Sequence, residues 1–278
     1  MFRLLNIELH KLKYSRSSKI LATTYFIILT FIALIASIEF NFGDVQIRIA
    51  DQGIFNFPFI WHFNTYMAAI LKFFLAVVIV SMMSNEYTNR TLKQNLIDGL
   101  SKWEFVLSKF YTVIAFALIS TIFVFLLTVI LGYSFSDYTE FGIVIRETDF
   151  IFAYFLKLVA FFSFCLFLGV LVKRSAFALG FLFVWWIVEN ILYAFLNFKV
   201  FKGTNIADNI IQFFPLEAMS NLINRPFERL DFIQTAANQL KADINIDYAV
   251  HWYEVLIVLF WIFFFIYGTY ALLKKRDL

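Results

Sequence analysis

The chain has 278 residues, of which 62% are hydrophobic and 21% aromatic, with 15% charged and a mean hydropathy of +0.78. An ordinary soluble domain is nearer half apolar, so this composition excludes one and predicts an all-α, polytopic membrane protein. The net charge of +3 implies no nucleic-acid partner, and the single cysteine, Cys165, excludes a disulfide framework or a thiolate metal site.

Residues 1–19 place Phe2, Leu5, Leu9 and Leu12 on one helical stripe, with Arg3, Lys11, Lys13, Arg16 and Lys19 around it. That pattern suits an amphipathic helix lying in the membrane interface, or a basic flank that only sets orientation. The following apolar run is long and has no small-residue cleavage step after it, so no cleaved signal is expected. Residues 20–278 are read as one six-span transmembrane domain. The first span is placed at 20–40 and the second at 62–83, joined by a polar connection containing Gly43, Gly53 and Pro58. All three prolines fall in predicted loops, which predicts uninterrupted helical spans. Trp61 and Trp252 sit at span ends and read as interface anchors.

Residues 85–109 form the longest polar interval between two strongly apolar runs on the basic side. Thr88 or Asn89 is suited to cap a helix start. Leu92, Leu96 and Leu100 then recur every four residues and make one stripe on a short helix. Gly99 sits where a left-handed C-terminal cap would end it. Ser101 and Glu104 complete a capping box ahead of the apolar run from Phe105. Two capped helices around one glycine make a stiff elbow. Local signals alone are equally compatible with a folded connecting loop.

The remaining spans are placed at 110–135, 150–172, 176–196 and 251–273, with a tight basic turn at Lys173-Arg174-Ser175. No span contains G-x-x-x-G, so close glycine-mediated crossing has no sequence support. The connection 197–250 is the longest, with apolar residues at helical spacing over Ile210–Ile223, broken by Pro215, and a further short helix expected over Leu230–Lys241. Basic residues cluster in the N-terminal flank, the elbow, the 173–175 turn and the Lys274-Lys275-Arg276 tail. By the positive-inside rule both termini and the elbow are cytoplasmic and the loop 197–250 is external.

Ionisable residues inside spans are costly, so each raises a functional question. Lys157 and Glu189 lie at equal depth, which predicts a pair. Lys72 has no obvious partner at its depth; lining an aqueous cavity, meeting an anionic lipid or snorkelling outward all remain open. No Walker loop, G-x-G-x-x-G or H-E-x-x-H occurs, and His10, His62 and His251 are isolated. No catalytic residue and no metal ligand is therefore assigned, and this chain is not read as an enzyme.

The elbow resembles the first cytoplasmic loop of type-2 ABC exporter permeases. The residues carrying the resemblance are Glu86 at the end of the second span, Thr91-Leu92, Ser101-Lys102-Trp103-Glu104 and Lys109. Where the family often has Gly before the Thr, this chain has Arg90, which suggests continuous helix in place of a turn. The resemblance implies the transmembrane permease subunit of an exporter in the bacterial inner (plasma) membrane. It implies ATP and Mg hydrolysed on two copies of a separate ABC ATPase subunit, with no cofactor in this chain. It also implies a second permease copy, as homodimer or related heterodimer, and a surround of membrane lipids. Glu86, Thr91, Leu92, Leu96, Leu100, Ser101, Glu104 and Lys109 are the residues it assigns to ATPase coupling. Rival readings are a membrane-embedded enzyme acting on lipid or prenylated substrates and a non-transporting assembly factor.

Overall fold

The computed structural model describes every residue except 1, 38, 43, 44, 49–52, 203–205, 231, 232, 236–238, 240–246, 277 and 278. A short helix α1 (Phe2–Tyr14) leads into α2 (Arg16–Ser37). The first span therefore starts four residues earlier than expected and stops before Phe40, which belongs to a small antiparallel hairpin. Its strands β1 (Glu39–Phe42) and β2 (Val45–Arg48) pair Glu39 with Arg48 and Phe42 with Val45. The expected second span is two helices, α3 (Phe59–Ile70) and α4 (Lys72–Thr88), bent by 44° where they meet. No proline causes the bend. The Leu71 amide reaches back three residues to the Ala68 carbonyl (3.2 Å) in place of four, a tightened turn that breaks the ladder.

After the elbow helix α5 (Thr91–Ile97), α6 (Lys102–Phe135) runs for 34 residues. At about 1.5 Å per residue it is roughly 51 Å long, well beyond a hydrocarbon core of about 30 Å, so it extends past the bilayer as well as crossing it. The short α7 (Phe141–Val144) precedes α8 (Asp149–Val172) and α9 (Ser175–Phe195), which continues as a π-helical turn, Leu196–Val200. Two short helices, α10 (Ile206–Ile211) and α11 (Pro215–Asn221), fill the long connection, with Pro215 at the start of α11. The 3-10 turn Phe227–Arg229 follows, and α12 (Trp252–Lys275) closes the bundle. The further helix expected over Leu230–Lys241 falls largely outside the described residues. Five of the described helices are each long and apolar enough to cross a membrane, and the bent α3–α4 pair makes a sixth if it is one span.

The core is organised around α8, which packs against α3, α4, α6, α9 and α12. It is apolar on every side, as a helix surrounded by other helices must be. Lipid tails are as apolar as its own side chains, so close van der Waals fit and internal hydrogen bonds hold the bundle. A ring of three buried hydroxyls supplies one such set of bonds: Tyr25 Oη lies 2.6 Å from both Ser120 Oγ and Tyr154 Oη, and the latter two are 2.9 Å apart. It ties α2, α6 and α8 together. Close fit appears at Gly169, where a β-carbon would sit 2.9 Å from Met83 Cβ on α4. One glycine thus allows a close crossing that needs no second small residue four positions away. Trp61 does not anchor an interface: it is buried, stacks on Phe125 and donates its indole N–H to the Val144 carbonyl (2.8 Å). Trp252 is exposed at its span end, as an anchor would be. Gly169→Val is expected to destabilise the purified protein by about 1–3 kcal/mol through overpacking against Met83, read as a lowered thermal transition in detergent.

Candidate functional site

The elbow is built by two helix-terminal devices and a turn. Asn85 to Thr88 continue α4 without a cap, and the chain reverses at Arg90, which takes φ of 57°. This left-handed residue sits where the resembling family often has glycine, so the turn is present, without continuous helix and without either expected cap at Thr88 or Asn89. At the far end of α5, Gly99 (φ 95°) donates to the Leu96 carbonyl (3.2 Å) and Leu100 to the Asn95 carbonyl (3.0 Å). These two bonds are the paired C-terminal closure that glycine permits. Ser101 then caps α6. Its Oγ accepts from the Glu104 amide (3.2 Å), and the Glu104 carboxylate accepts the Ser101 amide (2.9 Å).

Glu86, Thr91 and Lys109, expected to face a partner, converge instead on a buried ionic cluster beneath the elbow. Lys109 Nζ lies 2.5 Å from both Glu86 Oε1 and Glu8 Oε2. Lys11 bridges the same two carboxylates from the other side, at 2.9 Å to Glu86 and 3.2 Å to Glu8. Thr91 Oγ1 donates to the remaining Glu86 oxygen at 2.6 Å. The four charges sum to zero. Only 3% of Glu86 and none of Lys109 is exposed, so neither is available to a partner protein. Burial works against the Lys11 ammonium, but Glu8 and Glu86 outweigh it and hold its pKa above the ordinary lysine value. The cluster joins α1, the end of α4, the start of α5 and the first turns of α6. Glu8 was not singled out from the sequence, although it shares a face with Leu5 and Leu12. An acid on an apolar stripe signals a buried partner.

A second clasp secures the elbow to the end of the chain. Lys102 Nζ donates to the carbonyls of Arg276 (3.0 Å) and Lys274 (3.4 Å). The Arg276 guanidinium donates to the Leu171 carbonyl (3.0 Å) and the Val170 carbonyl, closing the C-terminal end of α8. Leu92 is buried under the elbow, and Leu96 and Leu100 pack partly against the core. The face left outward carries Arg90, Lys93, Gln94 and Ser101 around Ile97, 75% exposed, and Trp103, 42% exposed.

Residues 7–278 match the family described as ABC-2 family transporter protein. The chain belongs to that family. No curated protein matches it. Membership makes this chain a transport permease, a multi-pass membrane component that works with an ATPase subunit.

At the opposite end of the permease, the expected Lys157–Glu189 pair does not form. Each charge instead holds one end of α11. Glu189 accepts from the backbone amides of Leu216 (3.3 Å) and Glu217 (3.2 Å) at its first turn, and from Trp185 Nε1 (2.6 Å). Lys157 donates to the Ser220 (3.3 Å) and Ile223 (3.4 Å) carbonyls at its last. An anion at the N-terminus and a cation at the C-terminus match the helix dipole and satisfy backbone groups that α11 leaves free. His62 stacks on Phe150 at 4.2 Å, its Nε2 lies 2.8 Å from the Asn224 carbonyl, and its Nδ1 lies 3.2 Å from an Arg229 nitrogen. Donation from Nε2–H and acceptance at Nδ1 satisfy the neutral ring. Arg229 also grips Glu147 through two bonds of 2.7 and 2.8 Å. Lys72 lies at the α3–α4 bend, its ammonium 4.5 Å from the centre of the Phe161 ring.

Removing one member of the ionic cluster leaves an uncompensated buried charge, which costs about 3–5 kcal/mol. Lys109→Met is expected to destabilise the protein by that order. Adding Glu8→Gln, which returns the cluster to neutrality, is expected to recover part of the loss in thermal unfolding. At the turn, Arg90→Gly relieves the left-handed strain and is expected to stabilise by about 1 kcal/mol, while Arg90→Val lowers the unfolding temperature.

Proposed function

We propose that this permease is the transmembrane half of an ABC exporter in the inner membrane, with both termini and the elbow cytoplasmic. The observation that carries the reading is the elbow itself. It is a stiff element fastened at two points to the bundle, with an apolar tip, Ile97 and Trp103, set among polar residues. An exposed apolar tip with a polar rim is the form of a docking surface. ATP and its Mg ion bind on the partner, and two copies of that ATPase engage two permease copies, which together enclose the path. The pair is a homodimer or a related heterodimer.

Closure of the ATPase pair pushes the tip. The left-handed turn at Arg90 and the capped junction at Gly99–Ser101 resist flexing, so the push passes into α4 and α6. The ionic cluster carries it to α1, and the Lys102–Arg276 clasp carries it to α8 and α12. The result is a rigid-body tilt between inward-open and outward-open states. In this reading Leu92, Leu96 and Leu100 brace the elbow from beneath, Glu86, Thr91 and Lys109 anchor it, and Ser101 and Glu104 keep the second junction stiff. The outward face makes the contact.

Ile97→Asp places a charge at the docking surface and leaves the fold alone. It is expected to abolish co-purification of the ATPase, or to uncouple its hydrolysis, while the permease remains monodisperse with an unchanged unfolding temperature. An ATPase that stays bound and coupled to the Ile97→Asp permease would refute the docking role. Leu92→Asp, by contrast, is expected to unfold the elbow.

A further inference from the structure

Lys72 stands apart from the other intramembrane charges. Lys157 and Glu189 are each bonded to backbone groups of α11, whereas no described residue offers Lys72 a hydrogen bond or a carboxylate. It lies thirteen residues after Phe59 and sixteen before Thr88. Those intervals correspond to about 20 and 24 Å of helix, further than a lysine reaches to find headgroups. Snorkelling is therefore closed to it. The Phe161 ring offsets only part of the cost of a charge at that depth, because a single cation–π contact is worth less than burying the charge costs.

Two cations set the potential near this level. The ammonium itself is one. The other is Lys157, one turn before Phe161 on α8, which is held by backbone carbonyls and also faces the field of the Glu217 carboxylate. The 44° break at Leu71 adds little, because the negative end of the α3 dipole meets the positive end of the α4 dipole there. Beside Lys72, the side chains of Ile70 and Phe73 are exposed, and the adjoining helices α2 and α9 turn mostly apolar residues outward. A lone cation on an apolar face, at the broken middle of a span, lacks an anion and has room for an apolar tail beside it.

We infer that Lys72 is an anion-binding position half-way along the translocation path, taking the phosphate or carboxylate of an amphiphilic substrate whose apolar part runs along Ile70 and Phe73. This deepens the transport reading above and rests on it for the word substrate. The binding itself is measured on the permease alone, so its failure is separable from a failure of ATPase docking.

The test is equilibrium binding to the full chain in nanodiscs of neutral phosphatidylcholine, with dodecyl phosphate, dodecanoate and dodecanol as chain-matched probes. The wild type is expected to bind at least one anionic probe about tenfold or more tighter than the alcohol. Lys72→Gln and Lys72→Met are expected to erase that preference, and Lys72→Arg to keep it. Equal affinities in the wild type, or a preference that survives both neutral variants, would overturn the inference. Discs doped with phosphatidic acid separate the two sources of the anion. Retained probe binding supports a transported amphiphile, and complete block at low lipid content gives the position to a resident lipid and overturns the substrate assignment. Gel filtration identifies variants that fold; if both neutral variants aggregate, the wild-type ranking of the three probes decides alone.

Discussion

The structure depends on a neutral set of four charges, three of them buried and the fourth, Lys11, at the rim. Glu8, Lys11, Glu86 and Lys109 come from three helices, and each carboxylate meets both ammonium groups. Charges removed from water are tolerated only when fully paired. The cluster therefore fixes where α1 lies, where α4 ends and how the long helix α6 leaves the bundle. Because Thr91 completes the hydrogen bonding of Glu86, the start of the elbow is bound to the same point. A well-packed apolar contact would hold these helices together as strongly, but would let them slide. Directional bonds at 2.5–3.2 Å do not.

The elbow divides its labour between two faces. The inward residues are structural: Leu92 is buried, Leu96 and Leu100 are partly so, and Glu86 and Lys109 are locked away. The outward residues are few, and the most exposed of them, Ile97, lies one position beyond the leucine stripe. An i, i+4 stripe on a short helix marks the side that is already occupied. In the proposed docking of the ATPase, the contact side is therefore the opposite one.

The other end of the bundle solves a different problem with the same means. A seven-residue helix such as α11 has more unsatisfied backbone groups at its ends than bonds within it. Placed among apolar spans, it persists because Glu189 and Lys157 supply acceptors and donors at the correct poles. Lys72 has no such use for its charge. The contrast among three intramembrane charges gives each a separate meaning.

Composition and hydropathy determined the class of molecule, an all-α membrane protein, because transfer of apolar residues into lipid is a sum over local sequence. Local sequence also determined the Gly99 closure and the Ser101–Glu104 box, whose bonds join residues at most five apart. Tertiary structure decided which charges meet. Lys11 reaches Glu86 across 75 positions and Lys109 reaches Glu8 across 101, and no periodicity encodes such partners. It likewise decided that Lys157 and Glu189 serve a helix rather than each other, that Trp61 is enclosed, that α3 and α4 bend at Leu71, and that Arg90 turns left-handed. For Lys157, Glu189 and Trp61 the deciding factor was the need to satisfy buried polar groups where no water is present to do so.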